Sequence, residues 1–175
     1  EGWLAAELTV ERTPVEALDV ARHGSTVVVR RRAIEGAKSS VAGDGRLATR
    51  LAAAAGADHW WVVAALADAL GASQTAPARE ALDKIASEHV DSRARAAALD
   101  ALASYREDAA ARASVLDALK DPSYRVLGAA LRALGRLGSD RDVSRIVPFL
   151  DEESPYAVVA EGAADALARL GGDRA

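Results

Sequence analysis

Apolar residues recur at every fourth position in five similar runs along the chain. The runs are VRRRAIEGA from Val29, VVAALADALG from Val62, ARAAALDALA from Ala94, VLGAALRALG from Val126 and VAEGAADALA from Val159. The first, fifth and ninth positions of every run are apolar, which places them in one stripe along an α-helix. Consecutive runs start 32 or 33 residues apart, so the pattern predicts a repeated structural unit.

A second, less regular helical stretch precedes each run. The predicted first helices cover residues 14–22, 45–55, 76–88, 107–119 and 140–150. Thr13, Pro14 and Glu16 have the spacing of a helix-capping box, and Ser139 precedes Asp142 in the same way. Neither helix of a pair can bury its stripe alone. The predicted fold is therefore all-α, an α-solenoid of about five stacked helix–turn–helix repeats.

The period and the apolar pattern resemble HEAT-like repeats, in particular the short bacterial kind whose second helix reads VRxxAAxALG. The resemblance covers residues 13–172. Only Arg30 and Arg95 keep the arginine after the first apolar position, and Val63, Leu127 and Ala160 replace it in the other repeats. The apolar stripe is present in all five runs and carries the fold prediction.

The first twelve residues, EGWLAAELTVER, do not follow the repeat. Alternation around Leu8 and Val10 predicts a short strand, and one strand alone cannot complete a sheet. The predicted organisation is thus an end strand of an upstream β-sandwich, or a linker, over residues 1–12 and a HEAT-like domain over residues 13–175. A Gly-Trp-Leu strand followed by Thr-Pro, with aromatic starts DHWWVV at Asp58 and DPSYRV at Asp121, resembles the junction in bacterial relatives of aminopeptidase N.

That resemblance implies a non-catalytic C-terminal domain of a zinc metallopeptidase. Such a domain packs on the upstream catalytic domain of the same chain and restricts the access of peptide substrates. Zinc and the His-Glu-x-x-His motif would lie upstream, because this segment lacks that motif. We therefore predict no catalytic, cofactor-binding or metal-binding residue in the segment itself.

The composition of the chain excludes several classes of binding partner and metal site. The net charge of −4 argues against a nucleic-acid binder with a broadly basic surface, and no charge-free apolar run is long enough to cross a membrane. The absence of cysteine excludes a thiolate zinc site. We expect the three histidines, His23, His59 and His89, to be solvated turn residues. A soluble, cytoplasmic protein is the expectation.

The second helices also offer a possible docking face, which leads to an alternative function. Their third, fourth and seventh positions are expected to line the concave side of the array. The candidate docking residues are Arg31, Arg32, Glu35, Ala64, Asp68, Ala97, Asp100, Gly128, Arg132, Glu161 and Asp165. Small residues there permit close approach of a partner or of a neighbouring helix, or they reflect helix propensity alone. The alternative function is a HEAT-like scaffold that binds another protein on this face.

The arginine cluster and the aromatic residues each allow two interpretations. Arg30, Arg31 and Arg32 are expected to be solvated or paired with Glu35 and its neighbours, with an anionic or protein contact as the other possibility. Aromatic residues start several second helices, where they either cover the turn or anchor a partner. These residues are Trp60, Trp61, Tyr124 and Tyr156.

Overall fold

The computed structural model describes residues 14–55 and 58–172 and shows five helix pairs. The first helices are α1 (Pro14–His23), α3 (Gly45–Ala55), α5 (Ala76–Glu88), α7 (Ala109–Asp117) and α9 (Val143–Ile146). The second helices are α2 (Val27–Val41), α4 (Trp60–Ser73), α6 (Ser92–Leu102), α8 (Tyr124–Leu137) and α10 (Val158–Gly172). Each pair matches a predicted repeat, so the all-helical repeat fold is confirmed. The predicted strand at residues 1–12 and the cap at Thr13 lie outside the described residues.

Contacts divide the chain into two compact units, Glu1–Ala81 and Leu82–Ala175. In the first unit α2 packs against α1 and α4, and α3 packs against α1 and α4. In the second unit α8 packs against α6 and α10, and α7 packs against α8. Within each unit the second helices of successive repeats therefore form the main contact layer.

The predicted apolar stripe is the core of both units. Val62, Leu66 and Leu70 of α4 have no accessible surface, and the corresponding residues of α2, α6 and α8 are likewise buried. The exception is Leu167 of α10, which is only half-buried.

The less regular helical stretch predicted over residues 140–150 is confirmed, but it is not one continuous α-helix. The segment instead consists of a 3₁₀ turn (Asp140–Asp142), the single turn of α9, and a second 3₁₀ stretch (Val147–Asp151). Pro148 lies at the start of this second stretch, where its missing N–H removes an α-helical hydrogen bond. The proline therefore explains the change of helix type.

Asp142 holds this irregular segment together. The predicted capping box is confirmed, because Ser139 and Asp142 cap each other across the 3₁₀ turn. The Asp142 side chain is completely buried, and its Oδ1 accepts hydrogen bonds from Arg112 at 2.6 Å and from Arg145 at 2.8 Å. Burial alone would raise the pKa of Asp142, but these hydrogen bonds and the one from the Ser139 N–H outweigh it and lower the pKa.

Glycines let α8 and α10 approach each other closely. A Cβ placed on Gly162 would lie 2.8 Å from the carbonyl oxygen of Gly128, and one on Gly135 would lie 2.6 Å from the Cα of Ala166. Ordinary contacts of a Cβ begin near 3.4 Å, so an alanine does not fit without backbone movement. The small residues of this helix pair therefore serve helix packing.

Candidate functional site

Arginine–aspartate pairs join successive repeats within each unit. In the first unit Arg30 of α2 binds both carboxylate oxygens of Asp58, at 2.6 and 2.8 Å. In the second unit Arg95 of α6 binds both oxygens of Asp121, at 2.9 and 3.0 Å. Each arginine also donates to the carbonyl six residues earlier, Gly24 or His89. The same arrangement thus occurs twice, at the two repeats that keep the arginine of the HEAT-like pattern.

These pairs are structural in character. The four side chains are only 14–19% exposed, and the hydrogen bonds from Arg30 hold the pKa of Asp58 below its ordinary value. The sequence interpretation did not predict them. A signal was available, because Asp58 and Asp121 each stand shortly before a second helix, 28 and 26 residues after the arginine that binds them.

Of the predicted docking positions, only the seventh position of each run is charged and reaches solvent in all five repeats. Glu35 and Asp68 are the seventh-position column of the first unit, and Asp100, Arg132 and Asp165 are the seventh-position column of the second unit. Glu35, Asp68 and Asp165 are exposed, and Asp100 and Arg132 are half-buried. Each of these five residues is charged, although alanine and leucine predominate at the buried positions of the same helices.

In the first unit the column is neutralised by neighbouring cations. Lys38 of α2 forms an ion pair with Asp68 of α4 at 2.7 Å. Arg31 binds Glu35 at 2.6 Å and lies 4.2 Å from the centre of the Trp61 ring. The expected pairing of the arginine cluster with Glu35 is confirmed for Arg31, and Arg32 is exposed.

In the second unit two arginines share one carboxylate. Arg132 and Arg136 of α8 lie 3.7 and 3.3 Å from Asp100 of α6. Desolvation raises the pKa of Asp100, and the two nearby positive charges offset this effect only in part. Each arginine side chain remains 34% exposed. The cluster therefore presents more positive than negative charge on the surface of the second helices.

The candidate docking residues differ in their exposure. Gly128 is buried against Val158 and Gly162 because α8 and α10 pack closely there, so it offers no surface for docking. Ala64 and Ala97 are half-buried, and Glu161 is exposed. Within residues 58–172, neither Glu161 nor Asp165 forms an ion pair.

The histidine and aromatic side chains near the turns have different environments. His59 and His89 each accept a backbone N–H through Nδ1, from Trp61 and Asp91 respectively. Tyr156 is 97% exposed, so it does not cover its turn. Among the described residues no group of three or more histidine, aspartate or glutamate side chains is arranged to hold a metal ion.

The comparisons with known proteins support the repeat fold. Residues 82–168 match a family model described as HEAT repeats. A solved structure of the complex of CpcE and CpcF of phycocyanin lyase from Nostoc sp. PCC7120 is similar, with a TM-score of 0.68 and 22% sequence identity. The alignment covers 92% of this chain but 66% of that one, so this chain spans less than two thirds of the similar chain. No curated protein matches the sequence.

The expected relationship to zinc aminopeptidases is wrong. The similarity is to HEAT repeats and to a phycocyanin lyase structure, and no peptidase domain role is supported. The geometry gives the reason: Asp58 and Asp121, which open the two aromatic-rich starts, are the ion-pair partners of Arg30 and Arg95. These starts are features of repeat stacking and are not diagnostic of a peptidase.

The remaining observations concern the fold alone. None of the helices between residues 14 and 172 combines the length and the apolar character that a membrane span requires. The helix pairs, the buried stripe, the family match and the similar solved structure all agree. The described residues form an all-helical repeat array, and residues 82–168 of it match HEAT repeats.

Proposed function

We propose that the chain is a HEAT-repeat scaffold that binds a protein partner through its seventh-position columns. Stacked repeats bury one side of each second helix and leave the seventh position at the surface, where it can contact a partner. The similar solved structure is a complex of two proteins, which supports a protein as the ligand. Its 22% identity concerns the fold alone, so no lyase activity is proposed.

The observation that carries the proposal is the environment of Asp100. Its raised pKa means that the ionised carboxylate is less favourable in the folded chain than in the unfolded chain. Arg132 and Arg136 lie 3.7 and 3.3 Å from Asp100. Their side chains are 34% exposed, so their guanidinium groups are accessible. Partly exposed clusters of charged side chains that contain a group with a shifted pKa are typical of functional sites.

A capture experiment tests this role. The chain is immobilised and exposed to a lysate of its source organism, and the retained proteins are identified by mass spectrometry. The test variant combines Asp68→Asn, Asp100→Asn and Arg132→Gln. The matched control, Glu80→Gln with Asp117→Asn and Arg106→Gln, changes the same number of acidic and basic residues at other exposed positions.

The proposal expects one or more proteins that bind the unchanged chain and the control variant and are lost with the test variant. Urea unfolding of both variants shows whether the fold is retained. Equal capture by test and control variants, or no specific capture, would contradict a binding role for the columns.

A further inference from the structure

Arg132 and Arg136 of α8 use few of their hydrogen-bond donors. A guanidinium group carries five N–H donors. Among the described residues Arg136 donates one hydrogen bond, to Asp100 at 3.3 Å, whereas Arg132 lies 3.7 Å from the same carboxylate, too far for a hydrogen bond. By contrast, Arg30 and Arg95 donate three and four hydrogen bonds of 2.6–3.2 Å. The two arginines of α8 are therefore poorly satisfied by the chain itself.

The second unit contains another carboxylate that two arginines share, and the comparison is informative. Burial opposes the ionised form of Asp142, but the hydrogen bonds from Arg112 at 2.6 Å and Arg145 at 2.8 Å outweigh this effect and lower its pKa. For Asp100 the contacts are 3.3 and 3.7 Å, and desolvation raises its pKa. Asp142 is thus a strong ligand of its arginines, whereas Asp100 is a weak ligand of the arginines of α8.

Arg132 and Arg136 have the spacing to bind a pair of carboxylates. They are four residues apart, so their positions differ by about 6 Å along the axis of α8. Both reach Asp100, so both lie on the side of α8 that faces α6, and each side chain is 34% exposed. Because α8 packs against α6 and α10, this exposure does not depend on which repeat is the last of the array. Two carboxylates at i and i+4 of a partner helix have the same separation.

The charges of α10 restrict which anions can bind beside these arginines. Glu161, Asp165 and Arg169 of α10 are exposed, and among the described residues neither acid forms an ion pair with Arg132 or Arg136. The two acids and the net charge of −4 repel an extended polyanion, such as a nucleic acid or an anionic lipid surface. A protein segment needs only two carboxylates over α8 and carries neutral or basic residues over α10. The mixed charge therefore favours a protein segment.

We propose that Arg132 and Arg136 bind two carboxylates of an acidic helical segment of another protein, and that this segment displaces Asp100. The inference rests on the proposed function, because it names the partner chemistry of the second unit's seventh-position column. Asp100 is then an internal competitor. Its long contacts hold the two like charges in the free chain, and a partner that offers closer, charge-assisted hydrogen bonds replaces it.

An NMR titration of the whole ¹⁵N-labelled chain at low salt tests the proposal. The probes are two alanine-based helical peptides that differ at one i, i+4 pair of positions, where one carries two glutamates and the other two glutamines. Signals of the arginine Nε–H groups and of the α8 backbone report even weak binding. We expect the glutamate peptide to shift the signals of Arg132 and Arg136 and to bind at least about fivefold more tightly than the glutamine peptide, with the difference shrinking at high salt.

A pair of variants assigns the binding to these arginines. Arg132→Gln with Arg136→Gln should weaken the glutamate peptide at least about fivefold, because it removes both guanidinium groups. The matched control is Arg46→Gln with Arg50→Gln, which removes two exposed arginines that are also four residues apart, on α3. The control should change the affinity by less than about twofold. Circular dichroism verifies that both variants are folded.

Asp100→Asn tests the role of the internal competitor, and its expected effect has the opposite sign. Removal of the competing carboxylate should tighten binding of the glutamate peptide by about threefold. The control is Asp117→Asn, which also removes one carboxylate from an ion pair, with Lys120 at 3.1 Å. If both variants tighten binding equally, net charge is the cause and Asp100 is not a competitor.

Several results would overturn the proposal. These are no binding of the glutamate peptide, equal binding of the two peptides, equal weakening by the control arginine variant, and weaker binding after Asp100→Asn. If the glutamate peptide does not bind while the capture experiment still retains a protein that the test variant loses, the proposed function stands and only this inference fails. A dimer, detected by sedimentation, that dissociates in the Arg132→Gln, Arg136→Gln variant would identify a second copy as the source of the carboxylates and would refute another protein.

Discussion

Replacing Gly162 by alanine tests the close contact between α8 and α10. The new Cβ would lie 2.8 Å from the carbonyl oxygen of Gly128 and 3.0 Å from its Cα. Both atoms belong to the backbone of a helix, so neither can rotate away as a side chain would. The two helices must separate by roughly half an ångström, which loosens the packing along their whole contact.

The magnitude follows from two opposing effects. Overpacking a well-filled contact costs about 1–3 kcal/mol, and backbone neighbours place this site near the upper end. Alanine also gains about 1 kcal/mol over glycine in a helix interior. We therefore expect Gly162→Ala to lower the free energy of unfolding by about 1–2 kcal/mol.

Gly36 in α2 is the matched control. It is also a glycine inside a helix, but a Cβ placed there has no neighbour within 4 Å. Gly36→Ala should thus show the helix-propensity gain alone and raise the free energy of unfolding by about 0.5–1 kcal/mol. Urea unfolding followed by circular dichroism measures both variants, and an unchanged m-value shows that the unfolding transition is comparable.

The contrast between the two variants is the decisive result. If Gly162→Ala stabilises the chain as much as Gly36→Ala does, α8 and α10 are not in backbone contact, and the reasoning fails. Gly128→Ala provides a second check, because its Cβ would lie 2.7 Å from the carbonyl oxygen of Val158. Both substitutions are relieved by the same separation of the helices, so the double variant should cost less than the two single changes added together.

Three further predictions concern charged side chains. Asp142→Asn should lower the free energy of unfolding by about 2–3 kcal/mol in urea titration, because two arginines lose their shared carboxylate; a loss below about 0.5 kcal/mol would contradict this. A double-mutant cycle of Arg95→Ala and Asp121→Ala should give a coupling of about 1–2 kcal/mol, and a value near zero would mean that the pair does not join the repeats. Acidification from pH 3.8 to about 2 should lower the urea midpoint of unfolding. The hydrogen bond from Arg93 lowers the pKa of Asp91 to about 2 in the folded chain, and the stabilisation by this hydrogen bond is lost when Asp91 is protonated. Asp91→Asn should reduce that loss, whereas Asp100→Asn should not, since the pKa of Asp100 is shifted the other way.

The sequence predicted the helices well because their signals are local. The fourfold spacing from Val62 to Leu70 is an intrinsic property of one helix, and all three residues are fully buried. The period of the runs then determined that neighbouring helices must cover each stripe. The helical stretch over residues 140–150 was predicted, but its division into 3₁₀ and α-helical turns was not, because one proline, Pro148, is compatible with several helix boundaries.

The candidate site was predicted less completely, because exposure depends on the neighbouring helix. The sequence placed the third, fourth and seventh positions on one face, and only the seventh is charged and reaches solvent in all five repeats. For Gly128 the sequence left open whether a partner or a neighbouring helix approaches it, and in the structure the neighbour is α10. The distance between two helices is not encoded in either helix alone, so the pattern could not distinguish a docking position from a packing position.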